Sequence, residues 1–266
     1  MNGILVVDKP GGISAHDVVQ AVRKRFNTSK VGHLGTLDPM ATGVLPVCLG
    51  KATRIGQFIP NSPKVYEGDI RLGFSTNTYD REGTPTSEEK PFDAAAIGPA
   101  MRSLTGSFDQ VPPPFSAKKV GGVPSHKLAR ENRAIELAAV RIEVEQFEML
   151  DVHGQFVRFR VVCSPGTYVR SLAHDLGQRL SCGAHLTSLR RTRSGEFSVE
   201  QAVELERISP EVLIPMEQLL ASWPRIEVSG IEESKVLHGN PIRGETQGGF
   251  ARIFNNKLNG INTLII

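Results

Sequence analysis

Apolar residues recur along the chain in patterns that are typical of strands. An unbroken apolar run at 3–7, followed by a proline- and glycine-rich turn, predicts a buried strand. Alternation of apolar with charged residues predicts two more strands at 140–144 and 157–161. The segments 44–50 and 65–73 are also predicted to be strands. The chain therefore contains at least five predicted strands.

Apolar residues spaced by three or four positions predict helices between these strands. Ser14 precedes one such segment as a candidate cap, and Thr167 precedes another. A third helix is predicted around 97–104, and two more near 198–208 and 209–220. Strands outnumber helices and mostly do not alternate with them one for one. This order favours an α+β fold with a mixed sheet over a doubly wound fold.

Composition divides the chain into regions of different character. The polar segment 75–92 predicts a surface loop, and 111–133 is too rich in proline and glycine for regular structure at its start. Residues 221–266 are rich in glycine and asparagine and predict short strands and turns. We therefore place a large domain at 1–222 and a small β-rich module at 223–266.

The segment GHLGTLDPMATG, at 32–43, carries one carboxylate, Asp38, in a loop built mainly from backbone. Its glycines permit sharp turns, and Pro39 stiffens the chain directly after the acid. A carboxylate held in this way suits a nucleophile or a general base. Asp38 could equally cap the turn before Pro39, since Asp-Pro turns are common. The loop alone leaves both interpretations open.

The remaining candidates for metal or disulfide chemistry are scattered. His33 lies five residues before Asp38, but no motif links it to the other histidines and cysteines. The three cysteines form no CxxC pair, so a disulfide framework is not expected. The start of the chain lacks the pattern of a signal peptide, and no apolar stretch has the length of a membrane span. We expect a reduced, cytoplasmic protein with no membrane association.

The charge distribution suggests a nucleic-acid partner more than the total charge does. The formal net charge is only +3, but basic residues cluster at 23–30, 118–133 and 190–193. Such clusters are usually solvated surface. Three of them in a nearly neutral chain make an RNA-facing surface a hypothesis, and the scarcity of aromatic residues among them favours contact with a folded RNA backbone.

Two further residues have both an ordinary and a functional interpretation. Tyr66 stands in a predicted strand, where a tyrosine usually packs against its cross-strand neighbours. Arg170 lies beside the apolar stripe of its predicted helix. It could be a solvated surface arginine, or it could pair with a buried carboxylate and favour the charged form of that acid.

Several long segments together resemble the tRNA pseudouridine synthase B family. They are DKPGGISAHDVV, KVGHLGTLDPMATGVLPVCLGKATR, KVYEGDIRLGFSTNTYDREG, VPPPFSAKKVGGVPSHKLAR, CSPGTYVRSLAHDLG and CGAHLTSLRRTRSG. The resemblance covers residues 1 to about 220. It implies a mixed, mostly antiparallel sheet with flanking helices and an RNA-binding cleft. It also implies a C-terminal PUA-like module, for which 223–266 is short.

The resemblance implies an enzyme that isomerises uridine 55 in the T arm of tRNA to pseudouridine. It implies neither a cofactor nor a metal, and no obligate protein partner. The expected substrate is the T-arm stem-loop of tRNA, from which the target base is flipped.

The same resemblance implies roles for particular residues. Asp38 matches the catalytic aspartate, Tyr66 the tyrosine that stacks on the target base, and Arg170 the arginine that pairs with Asp38. His33 matches the residue that fills the gap left in the RNA. The other matched positions either line the pocket, support the loop or belong to the mobile insertion at 111–133; they are Tyr168 and Leu189, Lys9 and Pro10, and Lys118, Lys119 and Arg130.

Three alternatives remain at this point. A non-catalytic tRNA-binding protein or folding chaperone would use the same basic surface, but it would not need Asp38, Tyr66 or Arg170. A metal-independent hydrolase could use Asp38 with His33, although no oxyanion site or Ser or Cys nucleophile motif is evident. A guide-dependent relative would carry extra basic tails, which this chain does not show.

Overall fold

Strands make up most of the described chain. The computed structural model describes residues 1–116, 118–120, 123–125, 137–238, 240, 242–244, 251–255 and 258–262. The described strands, β1 to β16 in chain order, are Gly3–Lys9, Val31–His33, Thr42–Leu49, Lys64–Leu72, Gly106–Gln110, Lys119–Val120, Val123–Pro124, Val140–His153, Phe156–Cys163, Ala184–Ser194, Phe197–Ser198, Val203–Glu204, Ile214–Pro215, Arg225–Glu227, Arg252–Asn255 and Leu258–Asn262. The described α-helices, α1 to α5, are Ala15–Arg25, Ala52–Ile55, Ala94–Arg102, Val169–Arg179 and Gly230–Leu237.

One large sheet organises these elements. It has eleven described strands, with the main order β12-β1-β3-β10-β4-β9-β8-β5, and β2, β11 and β13 pair with β3, β10 and β1. Only β1–β12 and β3–β10 are parallel among its described pairings. The prediction of a mixed, mostly antiparallel sheet with flanking helices is confirmed.

The strand β1 is buried on both faces, which explains its unbroken apolar sequence. Leu5 and Val7 face the main core, where α1, α3 and α4 cover the sheet. Ile4 and Val6 face a second core on the opposite side, which also contains Phe254 from β15. A strand between two cores cannot alternate apolar with polar residues.

Helix α1 begins as the sequence predicts. The backbone N–H of Asp17 donates to Oγ of Ser14 at 3.1 Å, and Oδ2 of Asp17 accepts from the backbone N–H of Ser14 at 2.8 Å. This reciprocal capping box satisfies two backbone donors at the helix start. The apolar face of the helix packs into the main core through Val18 and Val22.

Three predictions for helices are wrong in part. The segments 198–208 and 209–220 form short 3₁₀ turns and two-residue strands. In the first segment Val203 and Glu204 pair with β1, and in the second Pro215 lacks the N–H that a continuous helix needs. Helix α4 begins at Val169 with Tyr168 as its cap, one residue later than predicted. Helix α5 was not predicted in the C-terminal region.

The C-terminal residues form a small separate sheet of order β14-β15-β16. Its short strands match the expected β-rich character of this region. The domain boundary between residues 222 and 223 stays a prediction. The longest described helices have 11 residues, and none of the described helices is long and apolar enough to cross a membrane.

Candidate active site

A cavity of about 310 Å³ lies where the loop before β3 meets the strands β4 and β10 and the start of α4. Its volume falls in the range of small-molecule sites. The lining residues come from segments far apart in sequence: Gly35, Thr36, Leu37, Asp38, Asn61, Lys64, Tyr66, Ser116, Pro165, Gly166, Thr167, Tyr168, Val169, Arg170 and Leu189.

Packing directs Asp38 toward this cavity. Leu37 and Met40, on either side of it, are buried in the main core. The backbone N–H of Ala41 donates to the carbonyl of Asp38 at 3.0 Å and closes a tight turn. Because Leu37 and Met40 are fixed in the core, the carboxylate of Asp38 lies at the cavity, and its side chain is 34% exposed.

Lys9 supports the loop from the side of β1. Its side chain is fully buried, and Nζ donates to the carbonyls of Pro10 at 2.8 Å, Ile13 at 2.7 Å and Pro39 at 3.2 Å. Burial lowers the pKa of Lys9 to about 8. The ammonium group thus connects the turn after β1 to the backbone directly after Asp38, and it does not line the cavity.

Arg191 supports the same loop from β10. It is fully buried, and its guanidinium donates to the carbonyls of Val44 at 2.7 Å, Gly35 at 3.1 Å and Thr36 at 3.2 Å. Arg190 beside it pairs with Asp8 at 2.7 Å. The basic segment 190–193 is therefore only partly available to RNA, because Arg191 is structural and Arg190 is paired, whereas Arg193 is exposed.

Asp38 and Arg170 form a bidentate ion pair at the cavity. Nε of Arg170 lies 2.8 Å from Oδ2 of Asp38, and Nη2 donates to Oδ1 at 3.0 Å. The arginine side chain is 6% exposed. The interpretation of Arg170 as a solvated surface residue is thus wrong. The fork geometry holds the carboxylate in one orientation.

Asp80 is a second carboxylate on the same guanidinium, and the sequence analysis missed it. Its Oδ2 lies 3.4 Å from Nη1 of Arg170, which also donates to the carbonyl of Thr78 at 3.1 Å. Asp80 is 5% exposed, although it belongs to the segment 75–92 that was expected on the surface. Its Oδ1 accepts from the backbone N–H of Glu82, as an aspartate in a turn commonly does. The sequence around Asp80 therefore indicates only a turn.

Aromatic and apolar residues form the walls beside this pair. Tyr66 on β4 and Leu189 on β10 are buried, and Tyr168 caps α4. Burial raises the pKa of the Tyr66 and Tyr168 hydroxyls, so both phenols are neutral at neutral pH. The structure thus brings together Asp38, Tyr66, Tyr168, Arg170 and Leu189.

Other predicted residues lie outside the cavity. His33, at the end of β2, is half-buried, and burial lowers the pKa of its imidazole. Lys118 is exposed. The side chain of Lys119 and the whole of Arg130 lie outside the described residues.

The described part of the segment 111–133 is attached to the active site. Nη2 of Arg170 donates to the carbonyl of Phe115 at 3.0 Å, and Oγ of Ser171 donates to the carbonyl of Val111 at 2.9 Å. The side chain of Gln110 exchanges two hydrogen bonds with the backbone of Tyr168. The root of this segment and the start of α4 therefore form one hydrogen-bonded unit.

The described residues contain neither a metal site nor a disulfide. No three His, Cys, Asp or Glu side chains among them are grouped to hold a metal ion. Cys48, Cys163 and Cys182 are all free and buried.

Comparison with family models places this arrangement among known proteins. Residues 23–169 match the model described as TruB family pseudouridylate synthase (N terminal domain). Residues 170–225 match the model described as tRNA pseudouridylate synthase B C-terminal domain.

Individual proteins are similar over almost the whole chain. The tRNA pseudouridine synthase B of Solibacter usitatus (strain Ellin6076) is 47% identical over 267 residues, which cover 95% of this chain and 91% of the relative. The same enzyme of Syntrophotalea carbinolica is 46% identical, over 91% of this chain and 82% of the relative.

Solved structures of H/ACA complexes have a similar fold. One, described as an H/ACA RNP bound to a substrate RNA containing 2′-deoxyuridine, has a TM-score of 0.69 and 28% identity. Another, a Cbf5-Nop10-Gar1 complex, has a TM-score of 0.68 and 27% identity. Each match covers 97% of this chain and 76% of the solved chain.

Proposed function

The chain belongs to the TruB family of pseudouridylate synthases, and from this premise we propose that it converts uridine 55 in the T arm of tRNA to pseudouridine. The observation that carries this proposal is the bidentate pair of Asp38 with buried Arg170 at a cavity walled by Tyr66. The reaction breaks the bond between C1′ and N1, turns the base, and joins C1′ to C5. No atom is gained or lost.

The target uridine must leave the RNA stack before it can reach Asp38. Flipping a base costs a few kcal/mol, at an order-of-magnitude estimate. In this proposal His33 fills the gap left in the RNA, and its neutral imidazole suits stacking among bases. Lys118, Lys119 and Arg130 would grip the phosphates of the stem and offset the remaining cost.

Asp38 is the reacting group in the cavity. It attacks C1′ as a nucleophile, or it removes the C2′ proton to give a glycal, and both routes remain open. Either route requires an ionised carboxylate in a fixed orientation. The two short contacts with Arg170 support that requirement, and Asp80 on the other side of the guanidinium helps to orient it.

The walls of the cavity hold the detached base. The ring of Tyr66 stacks on the uracil and limits its escape while it turns. Tyr168 and Leu189 complete the pocket. Lys9 acts indirectly, because its contacts with the carbonyls of the loop keep Asp38 in place.

The geometry also bears on the alternative functions. A non-catalytic RNA-binding protein has no use for a buried bidentate pair beside a cavity. A hydrolase that relied on Asp38 and His33 would need both in one site, and His33 does not line the cavity that contains Asp38. The proposed enzyme acts in the cytoplasm without an obligate protein partner.

Incubation of the purified chain alone with an unmodified T-arm stem-loop tests this function. Chemical labelling of pseudouridine should show product at position 55 without a guide RNA or added protein. Absence of product with the wild-type chain would contradict the proposal. Product only after addition of a guide RNA would favour the guide-dependent alternative.

Substitution of Asp38 tests the assignment of the reacting group. We expect Asp38→Asn to abolish product, because the amide can neither attack C1′ nor accept the C2′ proton. Binding of tRNA should stay within about tenfold, roughly 1.4 kcal/mol. Asp109→Asn is the matched control, since Asp109 is exposed and pairs only with Arg141 among the described residues. Robust turnover by Asp38→Asn would refute the assignment.

A further inference from the structure

Lys64 is a buried lysine at the cavity that the reaction above does not use. It is the first residue of β4 and lies two positions before Tyr66, on the same face of the strand. Its side chain is 6% exposed, and it lines the cavity together with Asp38. Within the described residues, no carboxylate pairs with Nζ and no acceptor is hydrogen-bonded to it.

The surroundings of Lys64 make room for an ammonium group, but no described carboxylate, Asp38 included, forms an ion pair with it. A methyl group at Gly35 would collide with Nζ, so glycine leaves space for the lysine there. The titratable and charged groups that face it are Asp38, Tyr66, His33, Cys163 and Arg191. Burial lowers the pKa of Lys64 to about 8, and the charge of Arg191 acts in the same direction.

The other cations near the cavity already have partners. The guanidinium of Arg170 faces two carboxylates, and Lys9 and Arg191 are bound to loop carbonyls. An ammonium group that is largely withdrawn from water and has no carboxylate partner is destabilising in a protein with no ligand. A lysine that keeps this cost in stability beside Asp38 is a candidate for contact with the substrate.

The proposed reaction creates the missing negative charge. When the C1′–N1 bond breaks, its electron pair leaves with N1, and the charge spreads over the ring to O2 and O4. C1′ then bonds to a carboxylate oxygen of Asp38, or it forms a double bond to C2′ while Asp38 takes the C2′ proton. After the ring turns, C5 bonds to C1′ while the C1′–O bond to Asp38 breaks or, on the second route, while Asp38 returns the proton to C2′. The C5 proton is finally transferred to N1. The uracil is an anion on both routes.

We propose that Lys64 is a catalytic residue whose ammonium group contacts the uracil ring and stabilises its negative charge after C1′–N1 cleavage. This assignment rests on the proposed function. Deep burial favours the base over a phosphate as the partner, because a flipped base enters the cavity while its backbone stays at the mouth. The adjacent Tyr66, assigned to stack on the same ring, supports this placement.

Single-turnover kinetics of Lys64→Met on the T-arm stem-loop test the proposal. We expect the rate of pseudouridine formation to fall at least about 100-fold, the effect of removing a preorganised group that meets developing charge. The Kd for the RNA should change less than about threefold. Lys51→Met is the matched control, because Lys51 is exposed and does not line the cavity. Its rate should equal that of the wild type.

Thermal unfolding separates a catalytic from a structural lysine. The folded-state pKa of about 8 lies below the usual 10.5, so the cost of the buried charge is fully present below pH 8 and disappears as the pH rises to 10.5. At pH 7, Lys64→Met should therefore unfold at the same temperature as the wild type or higher. A rate loss accompanied by a clear drop in Tm would overturn the proposal.

The pH dependence provides a second test that does not depend on the methionine variant. In the wild type, kcat/KM should decline above about pH 8 as Lys64 loses its proton. Lys64→Arg should retain part of the rate and move this decline to higher pH, because arginine stays charged. An unchanged decline in Lys64→Arg would assign it to another group and overturn the proposal.

The remaining outcomes separate this proposal from the proposed function. No pseudouridine with the wild-type chain would overturn both. Wild-type product together with an unchanged rate for Lys64→Met would overturn the Lys64 assignment alone. Equal losses in RNA affinity and in rate would also overturn it, since they would identify a contact with the RNA backbone.

Discussion

Asp38 owes its orientation to charges brought from distant strands. Lys9 on β1 and Arg191 on β10 each bind three carbonyls, and together they fasten both ends of the loop that carries Asp38. Arg170 then fixes the carboxylate itself. The position of the Asp38 carboxylate thus depends on buried cations, each of which contacts a different part of the loop.

We expect Arg191→Met to lower the free energy of unfolding by about 3 kcal/mol or more. The substitution leaves the carbonyls of Gly35, Thr36 and Val44 without their donor inside the protein. Urea unfolding followed by circular dichroism measures this loss. Arg193→Met is the control, because Arg193 is exposed and donates to Gly195 alone among the described residues. A loss below about 1 kcal/mol for Arg191→Met would contradict this account.

At the scale of single residues, the sequence draws attention to Asp38 more clearly than to its environment. Asp38 is the one carboxylate in a loop rich in glycine, and the loop left two interpretations of it open. Arg170 could likewise be inferred only as one of two possibilities. Asp80 and Lys64 were missed because their significance depends on contacts across the fold. Arg191 was interpreted as surface charge, since nothing in a basic triplet tells which member turns inward.

At the scale of elements, α4 depends on a close approach to β10. Gly177 lies where the helix meets the start of that strand, and a side-chain carbon there would overlap backbone atoms of Gly183 and Ala184. The backbone of these two residues cannot move away as a flexible side chain would. This contact sets the distance between the helix that carries Arg170 and the strand that carries Leu189.

Gly177→Ala should therefore lower the free energy of unfolding by at least about 2 kcal/mol, despite the higher helix propensity of alanine. Gly32→Ala in β2 adds the same methyl group where nothing lies within 4 Å, and it should be neutral or raise stability by up to about 1 kcal/mol. Chemical denaturation of both variants gives the comparison. Equal effects would contradict the role of close packing.

The strands could be predicted from the sequence, and the irregular segments could not. Alternating or unbroken apolar runs mark β3, β4, β8 and β9 clearly, because one or both faces of these strands are buried. In 198–220 the spacing of apolar residues imitates a helix, but Val203 and Glu204 pair with β1 and Pro215 interrupts the second segment. Helix α5 was missed because its short apolar pattern stands among glycines and polar residues.

At the scale of the whole molecule, recognition of RNA depends on how a net charge of +3 is distributed. The cluster 190–193 contributes fewer free charges than its sequence suggests, because Arg191 is buried and Arg190 is paired. The segment 118–133 is therefore the stronger candidate for an RNA contact, and Phe115, shortly before it, accepts a hydrogen bond from Arg170.

We expect combined neutralisation of Lys118, Lys119 and Arg130 to weaken tRNA binding and to reduce the slope of log K against log[salt] by about 2–3. With fewer phosphate contacts, fewer counterions are released when the complex forms. Filter binding over a series of salt concentrations measures the slope. Arg207→Gln is the control, since Arg207 is already paired with Glu204. An unchanged slope would exclude the segment as an RNA contact.

The buried cations of the Asp38 loop also limit how this chemistry could be transplanted. A graft of residues 32–43 into another sheet would carry the acid and its glycines, but it would leave behind Lys9 and Arg191. The acceptor scaffold would have to supply two equivalent cations at matching heights on neighbouring strands. A donor fragment that keeps the support of the loop therefore needs at least β1, β3 and β10, and the Asp38–Arg170 pair requires α4 as well.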